Sequence, residues 1–195
     1  MPLENHVIGV CALGNGVELP VKVVAAHVSA YLKLTPKILP RLAHPLYAFS
    51  EKRLQYDAGA VLRDLENKRF DNCMKVIAVL DVDLFIPIFT HVYGEARQNG
   101  KIALVSTFRL SEKTDGYSPQ PAKTLERTAK VALHELGHLF NLEHCHDNRC
   151  LMHFSGNLAD LDGTPLDYCR YCTTYFRDAL RRSSGRTNNT DEHAL

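Results

Sequence analysis

One segment constrains this chain more than any other: His134-Glu135-Leu136-Gly137-His138, with a further histidine, His144, following it. The first two histidines stand four residues apart. At about 100° per residue they fall roughly 40° apart on one helix face, so both imidazoles can reach a single ion. Leu125, Ala129, Ala132, Leu136 and Phe140 form an apolar stripe on the other side. That stripe buries the helix in the core and turns the histidine face toward a cleft. Were the helix to run on, His144 would lie about 80–120° round from the other two and could not share their ion. The helix must therefore stop between His138 and His144. Asn141 is the residue to stop it, because asparagine tolerates the left-handed conformation that ends many helices.

The same spacing predicts chemistry. Three imidazoles leave the fourth position of a tetrahedral zinc open, which distinguishes a catalytic site from a structural one. Glu135 lies too far round the helix to join the two histidines as a ligand. It can instead hydrogen-bond a water on the metal and take its proton as that water attacks a carbonyl. On this reading His134, His138 and His144 are ligands and Glu135 is the general base. His146 and His153 flank them and are expected to face solvent or to lie one layer out.

Cysteine usage points to a second metal. Four of the six cysteines stand as Cys145-x4-Cys150 and Cys169-x2-Cys172. The start, MPLENHVIGV, lacks a basic stretch followed by a long apolar one. The longest apolar runs, Val76–Leu80 and Leu84–Phe89, fall far short of the roughly 20 residues that a membrane span needs. A cytoplasmic protein off the membrane is expected. In that compartment such paired spacings favour metal over disulfides, the intracellular bridges of hyperthermophiles being the exception. Two short pairs converging on one ion give a closed tetrahedron of thiolates. Cys11 and Cys73 sit in or beside apolar strands and are expected to be small buried hydrophobes. A net charge of +1 steers the chain toward neither nucleic acid nor an anionic surface.

At 195 residues the chain suits one domain with a full core. Asn5–Leu13 reads as a strand ending in the turn Gly14-Asn15-Gly16. A helix is expected from Pro20 to about Lys33, burying Val24, Val28, Tyr31 and Leu32. Thr35–Leu39 reads as a strand, Asp57–Asn67 as a helix and Lys75–Leu80 as a buried parallel strand. Asp81–Phe89 is expected to be a loop. His91–Ala96 and Ile102–Phe108, joined across Asn99-Gly100, predict a hairpin. A polar loop over Ser111–Gln120 precedes the long helix from Pro121, and the last thirteen residues, from Ser183, read as a disordered tail. The alternation of strand and helix predicts an α/β fold.

HELGHLFNLEHC (His134–Cys145) resembles the long zinc signature of the metzincins, H-E-x-x-H-x-x-G-x-x-H, with Asn141 in the glycine slot. It is most similar to the archaemetzincin family, whose signature continues with a cysteine, then C-x-M and C-x-x-C. Here Cys145, Cys150-Leu151-Met152 and Cys169-x2-Cys172 follow in that order. The resemblance implies a zinc peptidase with a single metzincin-like α/β domain over 1–182. Its twisted sheet of about five strands is mostly parallel with one antiparallel edge strand, packed on helices. The zinc cleft is expected between an upper part (1–142) and a smaller lower part (143–182). Two zinc ions are implied: a catalytic one, with Met152 as a methionine turn beneath it, and a structural one on Cys145, Cys150, Cys169 and Cys172. Because Cys145 directly follows His144, the second site would brace the loop that carries the third ligand. A peptide or protein substrate is implied, with His91–Ala96 as the strand that could pair with it. A monomer is the default expectation.

Three rival readings have less behind them. Gly163-Thr164-Pro165-Leu166-Asp167 resembles the G-T-x-x-D element of aspzincins, which would make Asp167 the third ligand. The Tyr-Gly of that element is absent, Arg170-Tyr171 standing there instead. A non-catalytic zinc-stabilised binding module has no need of Glu135. A redox role for Cys169-x2-Cys172 would need a thioredoxin-like βαβ setting. Arg177, Arg181 and Arg182 read as a solvated helix face.

Overall fold

In the computed structural model, which describes residues 6–111 and 121–185, the first half of the chain builds a five-stranded sheet. Its strands are β1 (Val7–Ala12), β2 (Thr35–Ile38), β5 (Lys75–Leu80), β8 (Gly94–Ala96) and β9 (Ile102–Ser106). The order is β2-β1-β5-β9-β8, parallel except for β8, which runs antiparallel at one edge. Strand β5 lies centrally, and Val76 to Leu80 are fully buried, as a strand covered on both faces must be.

Helices cover both faces. Helix α1 (Glu18–Leu32) begins two residues earlier than Pro20 and ends at Lys33, whose φ of 57° is left-handed. It buries Val21, Val24, Ala25 and Val28. Tyr31, expected in the core, is 42% exposed and stacks on His27 instead, one turn back on the outer face. Helix α2 (Ala58–Glu66) packs on the opposite face, and the Asp57 carboxylate caps it by accepting from Ala60 N at 3.1 Å.

The stretch Asp81–Phe89 corrects the sequence-based expectation. It is not a plain loop: β6 (Leu84–Ile86) joins β3 (Phe49–Ser50), β4 (Gln55–Asp57) and β7 (Phe89–Val92) in a second sheet of order β3-β4-β6-β7. Strands of two to four residues carry too few positions for an alternating pattern to show. The run His91–Ala96 is likewise split. His91 and Val92 belong to β7, while Gly94–Ala96 form β8 of the main sheet.

Helix α3 (Pro121–Leu139) runs through the centre of the molecule and is buried nearly all round, polar residues included. Arg127 is 1% exposed and donates to both Asp162 carboxylate oxygens at 2.8 Å, and also to Leu110 O. Asp162 lies on α4 (Leu158–Gly163), so this bidentate pair clamps α4 onto α3. Breaking such a buried pair costs about 3–5 kcal/mol. Lys130 reinforces it through Glu126 and the carbonyls of Leu161 and Asp162. Helix α5 (Arg170–Gly185) follows, with Phe176 packed edge-on to Phe140 at 4.9 Å between centroids. It extends through the first three residues of the expected tail; residues 186–195, like 1–5 and the expected loop over 112–120, lie outside the described residues. Arg177, Arg181 and Arg182 are exposed on α5, with Arg181 paired to Asp178. Cys11 and Cys73 are buried, and burial pushes the Cys11 thiol up to about 12. No helix of the described residues is long and apolar enough to cross a membrane.

Candidate active site

The end of α3 is built as the histidine spacing demands. Asn141 adopts φ = 66°. Leu142 N donates to Gly137 O at 3.0 Å and Asn141 N to His138 O at 2.9 Å. These are the two reversed hydrogen bonds of a left-handed helix cap, and they satisfy carbonyls that the helix would otherwise leave open. The chain then turns back, and Cys145 N donates to Met152 O at 2.8 Å, delivering His144 beside the helix.

The three imidazoles converge. Ring centroids lie 4.8 Å apart for His134–His138, 5.3 Å for His134–His144 and 4.9 Å for His138–His144. His134 Nδ1 donates to Leu151 O at 2.8 Å and His138 Nδ1 to Leu142 O at 2.7 Å. With Nδ1 protonated, each ring turns its Nε2 lone pair inward, and the two Nε2 atoms stand 3.1 Å apart. Zinc–nitrogen bonds of about 2.0 Å give a tetrahedral edge of about 3.3 Å, so the pair fits that ion. Burial drives the His134 pKa down to about 3, helped by the neighbouring His138. Burial lowers those of His138 and His144 as well. All three are neutral near pH 7, the form that ligates metal.

Glu135 is buried beside them and faces strand β8. A methyl group at Gly94 would lie 2.7 Å from Glu135 Cγ and 2.8 Å from its Oε1. Only glycine lets the strand pass there. Burial raises the Glu135 pKa well above the carboxylate range, and the nearby Glu95 adds to the rise. Beneath the helix lies Met152, fully buried. A Cβ at Gly137 would overlap the Met152 sulfur and come within 3.1 Å of Tyr168 Oη. Tyr168 in turn donates to Leu133 O at 2.7 Å.

The four expected cysteines also come together. The Sγ atoms of Cys145, Cys150, Cys169 and Cys172 all lie within 4.8 Å of one another. Cys145 and Cys169 stand 3.9 Å apart. The tetrahedral edge for zinc–sulfur bonds of about 2.3 Å is about 3.8 Å, so four thiolates fit a closed zinc site. Cys169 N donates to Cys150 Sγ at 3.2 Å, the kind of bond that stabilises a thiolate. Asp167 does not join the histidines among the described residues. Its main-chain oxygen accepts from Leu151 N at 2.9 Å, the residue whose own carbonyl orients His134. His153 Nδ1 donates to Cys145 O at 2.9 Å, one layer out from the three histidines, and His146 is exposed.

A cleft of about 680 Å³ opens over the histidines, bounded by β7 and β8 on one side and by Phe154 on the other. Phe154 packs edge-on against His144 at 5.3 Å and faces Phe89 of β7 at 6.5 Å. The sequence reading missed Gly94, Gly137, Tyr168 and Phe154. Two carried a signal: a glycine inside a helix costs about 1 kcal/mol relative to alanine, and one inside a strand marks close backbone approach.

Residues 10–178 match the model of Peptidase family M54. Over 156 residues the chain is 37% identical to the archaemetzincin of Methanopyrus kandleri, covering 80% of this chain and 85% of that one. It is 34% identical to that of Methanocaldococcus jannaschii over 142 residues, 73% of this chain and 77% of that one. The crystal structure of the M. kandleri protein superposes with a TM-score of 0.80 at 34% identity, over 91% of this chain and 97% of that one. That of a zinc-dependent peptidase from Methanocorpusculum labreanum superposes with a TM-score of 0.75 at 28% identity, over 87% and 99%. With this fold, this motif and these relatives, the chain belongs to Peptidase family M54, the archaemetzincins, and is a zinc metallopeptidase.

Proposed function

We propose that His134, His138 and His144 hold the catalytic zinc and that Glu135 is the general base in peptide-bond hydrolysis. The observation that carries this reading is the convergence of the three rings, two of them pinned through Nδ1 to carbonyls so that Nε2 faces a common point. A zinc held by these three residues would supply a Lewis acid, lowering the pKa of a water and polarising a substrate carbonyl. The Glu135 carboxylate orients that water by hydrogen bonding, accepts its proton and passes it to the departing amine. Its buried setting favours this role, because a carboxylate removed from solvent is a stronger base. The substrate chain lies in the cleft, where the side-chain-free Gly94 lets β8 come close to Glu135.

The same reading assigns a second, structural zinc to Cys145, Cys150, Cys169 and Cys172, and the role of packing beneath the catalytic site to Met152. None of the four cysteines is tied up in a disulfide, so all four sulfurs are available as thiolate ligands.

The test measures metal and activity together. Glu135→Gln should retain wild-type zinc content and lose about 10²–10⁴-fold in kcat. His144→Ala should bind one zinc where the wild type binds two, the survivor resisting chelation. Wild-type turnover in Glu135→Gln, or two tightly held zincs in His144→Ala, would overturn the assignment.

A further inference from the structure

The turn that joins β8 to β9 is fastened to the end of the metal-ligand helix. Asn99 N donates to His138 O at 2.9 Å, and the Gln98 side-chain Nε2 donates to Leu142 O at 2.9 Å. Leu142 O is the carbonyl that already accepts from His138 Nδ1 at 2.7 Å. A carbonyl oxygen has two lone pairs, and here one serves the imidazole and the other the Gln98 amide. The carbonyl sits just beyond the left-handed Asn141, past the last regular turn of α3, so the helix ladder itself does not restrain it.

The turn supplying these bonds is itself held on two sides. Arg97 pairs with Glu66 of α2 at 2.9 Å, and Lys75 Nζ donates to Gly100 O at 2.7 Å. Asn99 takes φ = 56°, and Gly100 N closes the turn on Arg97 O at 2.8 Å. The Gln98 amide therefore reaches α3 from an anchored loop.

We propose that Gln98 is a positioning residue for the metal ligand His138, acting through the Leu142 carbonyl that both of them share. The proposal rests on His138 being a zinc ligand. Outer-layer partners of metal-bound histidines typically contribute 10–100-fold in metal affinity, and a partner one bond further out belongs at the low end. The same turn begins where β8 ends, so the strand bounding the cleft and the orientation of a zinc ligand share one anchor.

The experiment compares wild type with Gln98→Met, which keeps length and removes the donor, and with Gln98→Glu, which keeps shape but only accepts. Catalytic-site zinc affinity is read by chelator competition, and the visible spectrum of the cobalt-substituted protein reports ligand geometry. Both variants should lose about tenfold in affinity and shift the cobalt spectrum, with the melting temperature of the metal-free protein unchanged. The Glu variant is the sharper test, because added negative charge near the site would on its own strengthen zinc binding. Wild-type affinity and spectrum in both variants overturns the proposal. A fall in metal-free stability with affinity unchanged also overturns it. His138→Ala serves as the control: if it too keeps wild-type affinity, the ligand assignment has failed rather than the role of Gln98.

Discussion

Gly94 and Glu135 meet so closely that a single methyl group on the glycine would lie 2.8 Å from a carboxylate oxygen of the glutamate. The strand lining the cleft and the buried Glu135 carboxylate are thus fitted to each other. Val131, one turn before Glu135, is equally close at 2.7 Å, so the strand cannot slide aside along the helix.

Gly94→Ala should therefore displace either β8 or the Glu135 side chain. A misplacement of about 1 Å in a catalytic arrangement can cost 10²-fold in rate. The expected result is a fall in kcat of roughly that size, with zinc content unchanged and the fold intact by circular dichroism. Turnover equal to wild type would mean that the glutamate does not depend on its place against the strand.

Gly137 and Met152 make a second such pair, on the underside of α3. Gly137→Ala overpacks a filled core and should destabilise the protein by about 1–3 kcal/mol in denaturant unfolding. The methionine sulfur is the atom in the way, so shortening it should relieve the clash. Gly137→Ala with Met152→Ala should be less damaging than the sum of the two single changes, since contacting residues couple by about 0.5–3 kcal/mol. Strict additivity would show that the sulfur is not what demands glycine there.

The buried titratable groups set opposing pH dependences in the metal-free protein. For His134 the folded pKa is about 3 against an ordinary 6.5. Between those values the unfolded chain binds the extra proton, so stability rises with pH across that window and is lost as pH falls through about 3. Glu135 works the other way. Its folded pKa is raised above the ordinary 4.5, so above that point the folded chain holds a proton the unfolded chain has released. Its contribution is present below pH 4.5 and lost as pH rises. Metal-free Glu135→Gln removes that loss and should be more stable than wild type at pH 7. The difference should shrink at pH 4. Denaturant titrations at the two pH values measure it, and a variant less stable than wild type at pH 7 would contradict the burial account of Glu135.

The long elements were legible from their patterns. Lys75–Leu80 reads as a buried strand from its unbroken apolar run and is one, residue for residue. Asp57–Asn67 reads as a helix, and α2 (Ala58–Glu66) lies within those bounds, its start held by the Asp57 carboxylate. The stop at Asn141 follows from geometry, because no continuous helix could bring His144 to the other two histidines. The second sheet was not legible: its strands are only two to four residues long, and its two local pairs are joined across β4 and β6, where Tyr56 faces Leu84, 28 positions on. Tyr31 was misplaced for a related reason. Helical periodicity selects a face, but the position of the neighbouring layer decides how much of that face is covered.

What the sequence determined by itself is the donor set: which imidazoles and thiols are present, and at what spacing along a helix and its turn. Those are local properties, set by the 3.6-residue period and the left-handed tolerance of asparagine. How the site is held depends on contacts between elements far apart in the chain. Gly94 against Glu135, Met152 beneath Gly137, Tyr168 on Leu133 O and Gln98 on Leu142 O each join residues between 15 and 44 positions apart. Contacts of that range arise from packing the finished elements against one another; a local pattern flags the two glycines but not the partners they meet.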